Sequence, residues 1–382
     1  MATRKNAKGW LRRAVLPVLV LLAAAGCMPT ELNERSLVSM VGIDANKDNT
    51  LRLTLGIIGT QDKNQADAIT VYSVNGETLF DAARKFIQVV GNQPLWPYIK
   101  VIVLGPSVSK QDIIPVLDYF NRNNEIQPNP FVVLSMIPAE EIVRVQTVLP
   151  ALNTVVVEQQ LVNQSKLSLA PKVHLYQLNE MMVSPGSTGY TALIRKKSQN
   201  EGAYSQVSGL AVIKHGRWIG ELDERQTRGV LWVQHQVKGG ILNVPLEKAT
   251  ASLVIKKCSK VKLKPDLQDG QLRISLDMEV KLSVGEIMGY LTMDRKGLES
   301  IRTGAEKEIT QEVEAALSVA QRTYKADIFG FAQAVERKYP DYWQEHKDSW
   351  ESVFSRLSVD IAVKASLHDF GLTESVGHKG GD

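Results

Sequence analysis

The longest regular pattern in this chain of 382 residues is a strict alternation of apolar and polar residues in "QLRISLDMEVKLSV". Its apolar positions are Leu272, Ile274, Leu276, Met278, Val280, Leu282 and Val284. Because successive side chains of a β-strand point to opposite faces of a sheet, the pattern predicts one long strand with a single buried face. Such a sheet needs a second layer to cover its apolar side.

The segments around this strand predict the rest of its domain. Residues 251–264 are expected to pair with it through a tight turn at 269–270. Apolar residues alternate again over 357–367, and an amphipathic helical stripe runs over 298–324. We therefore expect an α+β domain at residues 247–382, in which one long amphipathic helix covers an antiparallel-type sheet.

The first half of the chain has a different pattern. Strand-like segments over 37–74 precede an amphipathic helix that ends at Gly91. Two further strands, over 98–105 and 130–137, are each followed by a helical segment. Strands that alternate with helices are typical of a mixed α/β domain, which we expect at residues 27–185.

A small middle domain is expected at residues 186–246. The turn-rich segment 184–190 marks its start. Residues 207–222 predict a hairpin that turns at a His-Gly pair, and Asp223 is the candidate N-cap of a following helix.

The N-terminus has the order of an export signal. Five basic residues and no acidic residue accompany an apolar run over 14–25. That run is roughly a dozen residues long, whereas about 20 are needed to cross a bilayer. Residues 24–26 are small and lead directly into Cys27, which resembles the lipobox of bacterial lipoproteins. The resemblance implies that residues 1–26 are removed and that Cys27 carries a lipid anchor; the alternative is an ordinary cleaved signal with a chance cysteine.

Charge and cysteine usage exclude some functions. The formal net charge is +4, and loss of the signal, with its five basic residues, leaves about −1. A nearly neutral chain has no basic surface for DNA or RNA, so we expect no nucleic-acid partner. With Cys27 lipidated, Cys258 is the one remaining cysteine, which excludes a disulfide within the chain.

The common catalytic motifs are absent from the sequence. It contains no G-x-S-x-G, H-E-x-x-H, Walker A or G-x-G-x-x-G pattern. No two histidines stand at i and i+4, so we expect no metal site, no cofactor and no catalytic residue. The histidines are His174, His215, His235, His346, His368 and His378.

Three further features could be functional or structural. Asp44 ends a predicted strand and is read as a strand-end or turn residue. Cys258 lies among lysines in a strand and is read as a structural or exposed thiol. The aromatic residues over 339–354 follow near-helical spacing, which favours core packing over a ligand cage or a membrane-interface belt.

Several segments together resemble the Ger(x)C lipoproteins, the C subunits of the nutrient germinant receptors of spore-forming bacteria. The resemblance is carried by "ELNERSLVSMVGID", "NGETLFDAARKF", "VSGLAVIKHGRWIGELDERQTRGVLWV" and, most specifically, "KADIFGFAQAVERKYPDYWQEHKDSWESVFSRLSVDIAVKASLHDFGLT". The matching positions are Gly209, Gly220, Leu222, Gly229, Asp327, Phe329, Gly330, Pro340, Trp343, Trp350, Phe354 and Gly371. Tyr98 stands where the family has a histidine.

The resemblance implies a three-domain protein without catalytic activity, held by its lipid on the outer face of the spore inner membrane. It implies assembly with a multi-pass, transporter-like A subunit and a multi-pass B subunit. The functional residue that it transfers is the lipidated Cys27. Two alternatives stay open on the sequence: a solute-binding lipoprotein that serves a membrane transporter, and a lipid-anchored hydrolase with an unrecognised site.

Overall fold

The computed structural model describes residues 35–58, 69–146, 152–199, 202–368 and 375–376. Most of these residues belong to two sheets and to the helices packed on them. The signal segment, Cys27 and His378 lie outside the described residues. The expected mixture of α/β and α+β architecture is confirmed.

The first sheet contains parallel strands at its centre and antiparallel strands on both sides. Its order is β3-β2-β1-β5-β6-β7-β8-β9, with β4 beside β1. Three successive pairs are parallel: β1 with β5, β5 with β6, and β6 with β7. The strands are β1 (Arg35–Ala45), β2 (Leu51–Ile58), β3 (Ile69–Gly76), β4 (Gln93–Leu95), β5 (Val101–Leu104), β6 (Phe131–Ser135), β7 (Thr188–Gln199), β8 (Gly202–Lys214) and β9 (Arg217–Leu222).

Helices cover both faces of this sheet. Consecutive residues of β5 show this arrangement, since Ile102 belongs to one apolar cluster with Phe86, whereas Val103 belongs to another with Ile142. Every residue of β5 and β6 is buried, as expected of parallel strands covered on both sides. The helices are α1 (Leu79–Val90), α2 (Pro106–Ser109), α3 (Ile114–Arg122), α4 (Ala139–Val143), α5 (Asn153–Val162), α6 (Gln164–Leu167) and α7 (Leu175–Val183), with a 3-10 turn at Trp96–Tyr98.

The predicted end of α1 at Gly91 is confirmed, whereas another predicted helix is divided. Thr78 caps α1 by accepting a hydrogen bond from the amide of Asp81, and Gly91 ends it with φ of 83°. The helix expected over 107–123, kinked or delayed by Pro115, is divided into α2 and α3. Pro115 occupies the first turn of α3, where its missing N–H group is tolerated.

The domain boundary expected between residues 185 and 186 falls inside the first sheet. Residues on its two sides meet where β6 pairs in parallel with β7, through Val133 and Ala192. The hairpin expected to belong to a small middle domain therefore extends the N-terminal sheet. Its turn has the predicted His-Gly form, with φ of 49° at His215 and 74° at Gly216. The division of the chain into three domains stays a prediction.

The second sheet follows α8 (Glu224–Val233), whose N-cap is the predicted Asp223. Its order is β10-β11-β12-β14. The predicted turn between β11 and β12 has φ of 51° at Asp269 and 75° at Gly270. The strands are β10 (Ile241–Pro245), β11 (Ala249–Gln268), β12 (Gln271–Gly289) and β14 (Ser358–Leu367), and a separate pair joins β13 (Leu291–Thr292) to β15 (Ser375–Val376).

The last strand of this sheet departs from the antiparallel pattern expected of it. β14 runs parallel to β12, in a register that places Leu276 beside Ile361. The reason is the helical segment of residues 295–356 between them, which returns the chain to the end of the sheet where β12 begins, as parallel pairing requires.

One long helix covers the apolar face of the second sheet, as predicted. It is α9 (Arg295–Ser318), which continues into a π-helical turn at Val319–Tyr324. Its buried stripe includes Ile301, Ile309 and Val313. The helices that follow are α10 (Phe331–Lys338), α11 (Pro340–His346) and α12 (Trp350–Arg356), with a 3-10 turn at Lys347–Ser349.

Candidate functional site

The predicted anchor residue, Cys27, lies outside the described residues, but its distance from them is limited by the chain. Residues 28–34 separate it from Arg35, the first residue of β1. A fully extended segment of this length spans at most about 30 Å. Arg35 lies beside Gln93 in the sheet. The segment therefore connects Cys27 to the end of the first sheet where β1 and β4 begin.

The two sheets are joined by a close contact between α8 and α9. A Cβ atom added to Gly229 would lie 2.1 Å from the backbone oxygen of Glu312. No side chain larger than hydrogen fits at that distance without displacing the backbone of α9. Gly229, one of the positions at which the sequence resembles the family, is therefore required by helix packing.

A buried ion pair lies at the same contact. Glu312 is 2% exposed and accepts two hydrogen bonds from the guanidinium of Arg228 and one of 2.8 Å from the indole of Trp232. Arg228 also donates to the carbonyl of Ile241 at 2.8 Å. One arginine thus connects α8 to both α9 and β10. The sequence analysis did not identify this pair. The available signal was the position of Glu312, an acidic residue on the apolar stripe three positions after Ile309.

Tyr324 makes a second connection between the two parts of the chain. Its hydroxyl donates to the carbonyl of Glu221 at 2.9 Å and accepts from the amide of Glu221 at 3.0 Å. A Cβ atom on Gly220 would overlap the ring, at 2.0 Å from one of its carbons. The glycine in β9 thus leaves room for a residue of the π-helical turn.

A third connection is ionic. The ammonium group of Lys214 lies 2.7 Å from the carboxylate of Glu351 and donates to the carbonyl of Lys325 at 3.2 Å. Partial burial raises the pKa of Glu351, but the hydrogen bonds and charges of Lys214 and His215 outweigh burial and hold that pKa below its ordinary value. The carboxylate therefore stays ionised at neutral pH.

The most specific family segment forms a buried turn around Asp327. Its carboxylate accepts hydrogen bonds from the amides of Phe329, Phe331 and Ala332 and from the indole of Trp350. Gly330 has φ of 76°, a conformation that glycine adopts without strain. Burial raises the pKa of Asp327, and the four hydrogen bonds oppose that effect. Asp327, Gly330 and Trp350 thus have structural roles in this segment.

The aromatic residues of that region pack in the core, as predicted. Trp343 is 5% exposed, Trp350 is 3% exposed and Phe354 is fully buried, whereas Tyr339 is half-buried. The rings of Trp343 and Trp350 meet edge to face with centroids 5.3 Å apart. This arrangement is a packed core and does not form a cage around a ligand.

Asp44 and Cys258 also have structural surroundings. The carboxylate of Asp44 accepts from the amides of Ala139 at 2.9 Å and Glu140 at 3.0 Å, at the start of α4. Burial raises the pKa of the Cys258 thiol, which lies in β11 with its sulfur 3.7 Å from the carbonyl of Lys260. A buried thiol with a raised pKa is a poor nucleophile.

Within the described ranges, no group of three or more His, Cys, Asp or Glu side chains could hold a metal ion. Each of the described histidines lies in a different environment. Among them, His174 stacks on Phe131, and His235 is hydrogen-bonded to the carbonyl of Cys258. The remaining three are His215 in its turn, His346 beside Tyr342 and His368 beside Ser366.

An open groove of about 540 Å³ lies between α1 and α3. Trp96 and Tyr119 line it, together with the guanidinium groups of Arg84 and Arg122. Those two cations already have neighbours, because Arg84 lies over the ring of Phe80 and Arg122 pairs with an aspartate of its own helix. None of its lining residues has a buried side-chain polar atom without a hydrogen-bond partner, so no unsatisfied group there indicates a ligand.

In the part of the chain that is described, no helix is long and apolar enough to cross a membrane.

The chain matches two family models that together cover almost all of it. The model "Spore germination protein N-terminal domain" matches residues 29–196, and "Spore germination B3/ GerAC like, C-terminal" matches residues 208–371. The two matches meet in the hairpin of β7 and β8.

Similar proteins agree with these matches. Spore germination protein KC of Bacillus subtilis (strain 168) is 23% identical over 395 aligned positions, covering 95% of this chain and 97% of that protein. Spore germination protein B3 of the same organism is 22% identical, covering 92% and 96% of the two chains. The crystal structure of the GerBC protein superposes with a TM-score of 0.55 at 17% identity, covering 86% of this chain and 96% of that one, and so supports the fold. The chain therefore belongs to the spore germination B3/GerAC-like family, the Ger(x)C family of germinant receptor C subunits.

Proposed function

We propose that this protein is a lipid-anchored, non-enzymatic C subunit of a spore germinant receptor, needed for nutrient-triggered germination. The observation that carries the proposal is the match of family models to residues 29–196 and 208–371, directly after the lipobox-like sequence that ends at Cys27. The transporter-serving alternative has no comparable support, since the similar proteins are spore germination proteins.

The anchor is the first part of the proposal. Diacylglycerol on Cys27 attaches the protein to the outer face of the spore inner membrane. Several acyl chains on one residue hold much more firmly than one myristoyl chain, whose binding is marginal. Because only residues 28–34 separate Cys27 from β1, the start of β1 stays within about 30 Å of the bilayer surface. Such a tether raises the effective concentration of the subunit near membrane partners.

The absence of catalysis is the second part. The family is not a known enzyme family. The buried carboxylates of the described residues support this view: Asp44 and Asp327 accept backbone amides, and Glu312 is neutralised by Arg228. None of these carboxylates is left available for acid or base catalysis.

The partners are the third part. The subunit assembles with a multi-pass A subunit and a multi-pass B subunit. Nutrient binding shifts the assembly between a closed and an open state, and this subunit favours one of them. The contacts through Arg228, Tyr324 and Lys214 suit such a role, because they join the two sheets into one body that can transmit a displacement.

The test is purification of the full-length protein from detergent-solubilised spore membranes, followed by mass spectrometry of its partners and of its N-terminal peptide. We expect multi-pass A- and B-type subunits and a diacylated N-terminal Cys27. The matched control is Cys27→Ala, which leaves residues 28–382 unchanged and should abolish the modification and the membrane association. Recovery of transporter permeases, or of a soluble protein with an unmodified Cys27, would overturn the proposal.

A further inference from the structure

β14 is a ten-residue strand at the edge of the second sheet. It pairs with β12 on one side over residues 358–367, and no strand among the described residues pairs with its other side. Its sequence, "SVDIAVKASL", contains no proline. Natural proteins normally protect edges with proline, with bulges, with very short strands or with charged side chains, especially lysine. Lys364 is the one basic residue along its ten positions.

The direction of the backbone groups along this edge follows from two hydrogen bonds. The amide of His368 donates to the carbonyl of Leu282 in β12 at 2.8 Å. The amide of Ala365 instead donates to the side chain of Glu306 in α9 at 2.9 Å, on the opposite side. Because alternate residues of a strand point their N–H and C=O groups to the same side, the groups of 359, 361 and 363 face the same edge as the amide of Ala365, where Glu306 covers the end of that edge.

Side-chain burial shows that the layer beneath the edge is incomplete. Val359, Ile361 and Val363 are only half-buried, although they point to the face that α9 covers. Their neighbours Ile274 and Leu276 in β12 are fully buried. Further apolar side chains placed beside β14 would therefore complete the core.

The outer face of β14 has charges in a self-complementary order. Asp360 and Lys364 are exposed and stand symmetrically about the exposed Ala362. We propose that β14 pairs antiparallel with β14 of a second copy of this chain, with the two-fold axis at Ala362. Asp360 of each copy then lies opposite Lys364 of the other, and Ile361 lies opposite Val363.

The backbone directions agree with this register. In an antiparallel pair, residues whose N–H and C=O groups face the partner form hydrogen-bonded pairs, and the residues between them form closer pairs without hydrogen bonds. Ile361 and Val363 supply the hydrogen-bonded pairs, and the small Ala362 occupies the close position on the axis. An axis moved to Asp360 or to Lys364 would place like charges opposite each other, which destabilises a strand pair.

Disulfide cross-linking at the axis tests the proposal. The full-length chain with Cys258→Ala and Ala362→Cys is purified in detergent and oxidised mildly. The two Cα atoms at the axis of such a pair lie about 4.5 Å apart, within the range that a disulfide bridges. The matched control is Ser358→Cys in the same background, because this exposed position would lie about 26 Å from its counterpart. Cys258→Ala alone measures any cross-linking through Cys27.

We expect about tenfold more disulfide-linked dimer from A362C than from S358C, since only the first pair of sulfurs can meet. Equal dimer yields from the two variants, at equal reactivity toward a soluble thiol reagent, would overturn the proposal. A thiol of A362C that is protected while the chain stays monomeric would also overturn it, because another segment would then cover the edge.

Charge reversal tests the register separately. In the A362C background, Asp360→Lys and Lys364→Asp should each lower the dimer yield severalfold by placing like charges opposite each other. The double variant restores opposite charges, and we expect it to recover the yield. A double variant as defective as either single variant would contradict the pairing of Asp360 with Lys364.

Discussion

Arg228 and Glu312 form an ion pair that is almost withdrawn from solvent, with side chains 13% and 2% exposed. The pair joins the helix that follows the first sheet to the helix that covers the second. Burial removes water from both charged groups at this contact. The guanidinium of Arg228 and the indole of Trp232 donate directed hydrogen bonds to the carboxylate of Glu312 in place of that water. The contact between the two halves of the protein is therefore specific in geometry as well as apolar.

Removal of one partner from this pair should destabilise the protein strongly. Glu312→Ala leaves the guanidinium of Arg228 buried without its counter-ion, and the expected loss in the free energy of unfolding is about 3 to 5 kcal/mol. Chemical denaturation of the purified protein measures the loss. Glu141→Ala is the matched control, because Glu141 pairs with Lys196 at the surface across 3.7 Å. The control should lose less than about 1 kcal/mol. Equal losses in the two variants would show that the buried pair has no special role.

Gly229→Ala tests the close approach of α8 and α9. The added methyl group would lie 2.1 Å from the backbone oxygen of Glu312, so the helices must move apart. We expect a loss of about 1 to 3 kcal/mol, measured by thermal unfolding.

Gly91→Ala separates this steric effect from backbone strain. Gly91 has φ of 83°, but no atom lies within 4 Å of an added Cβ. Its substitution should cost about 1 kcal/mol through conformation alone. Equal losses in the two variants would contradict the steric role assigned to Gly229.

The parts of the fold that could be predicted from the sequence are those that neighbouring residues determine. The alternation in β12, the cap at Gly91 and the N-cap at Asp223 each depend on side chains within a few positions. The amphipathic stripe of α9 likewise predicts which face is buried.

Long-range pairing could not be predicted in the same way. The hairpin of β8 and β9 has a clear local signal, but nothing local indicates that β7 pairs with β6 in the N-terminal sheet. The parallel direction of β14 depends on where the intervening helices return the chain. The role of Glu312 depends on Arg228, 84 residues away, which only the packed structure brings near. The predicted site residue Cys27 lies outside the described residues, and its lipidation stays a prediction.

Asp327→Ala should disrupt the turn that begins α10. The substitution removes the acceptor of three backbone amides and of the indole of Trp350, and it leaves these donors buried. We expect a loss of about 3 kcal/mol in the free energy of unfolding, since several unsatisfied buried donors add their desolvation costs. Near-ultraviolet circular dichroism should also change, because Trp350 loses its fixed environment. Asp341→Ala, in the first turn of α11, is the control and should leave that spectrum unchanged.

The ion pair between Lys214 and Glu351 predicts a contribution of known sign to the dependence of stability on pH. The pKa of Glu351 in the folded protein lies below its ordinary value of 4.5, because the hydrogen bonds and charges of Lys214 and His215 outweigh burial. A carboxyl group with a lowered folded pKa stabilises the protein above the unfolded pKa, and that contribution is lost as pH falls through the folded pKa. The difference in unfolding free energy between the unmodified protein and Glu351→Gln should therefore be constant near neutral pH and should shrink below about pH 4.5. Denaturation at a series of pH values measures this difference. A difference that stays constant down to the acid limit of folding, or that grows there, would contradict the ionic role of Glu351.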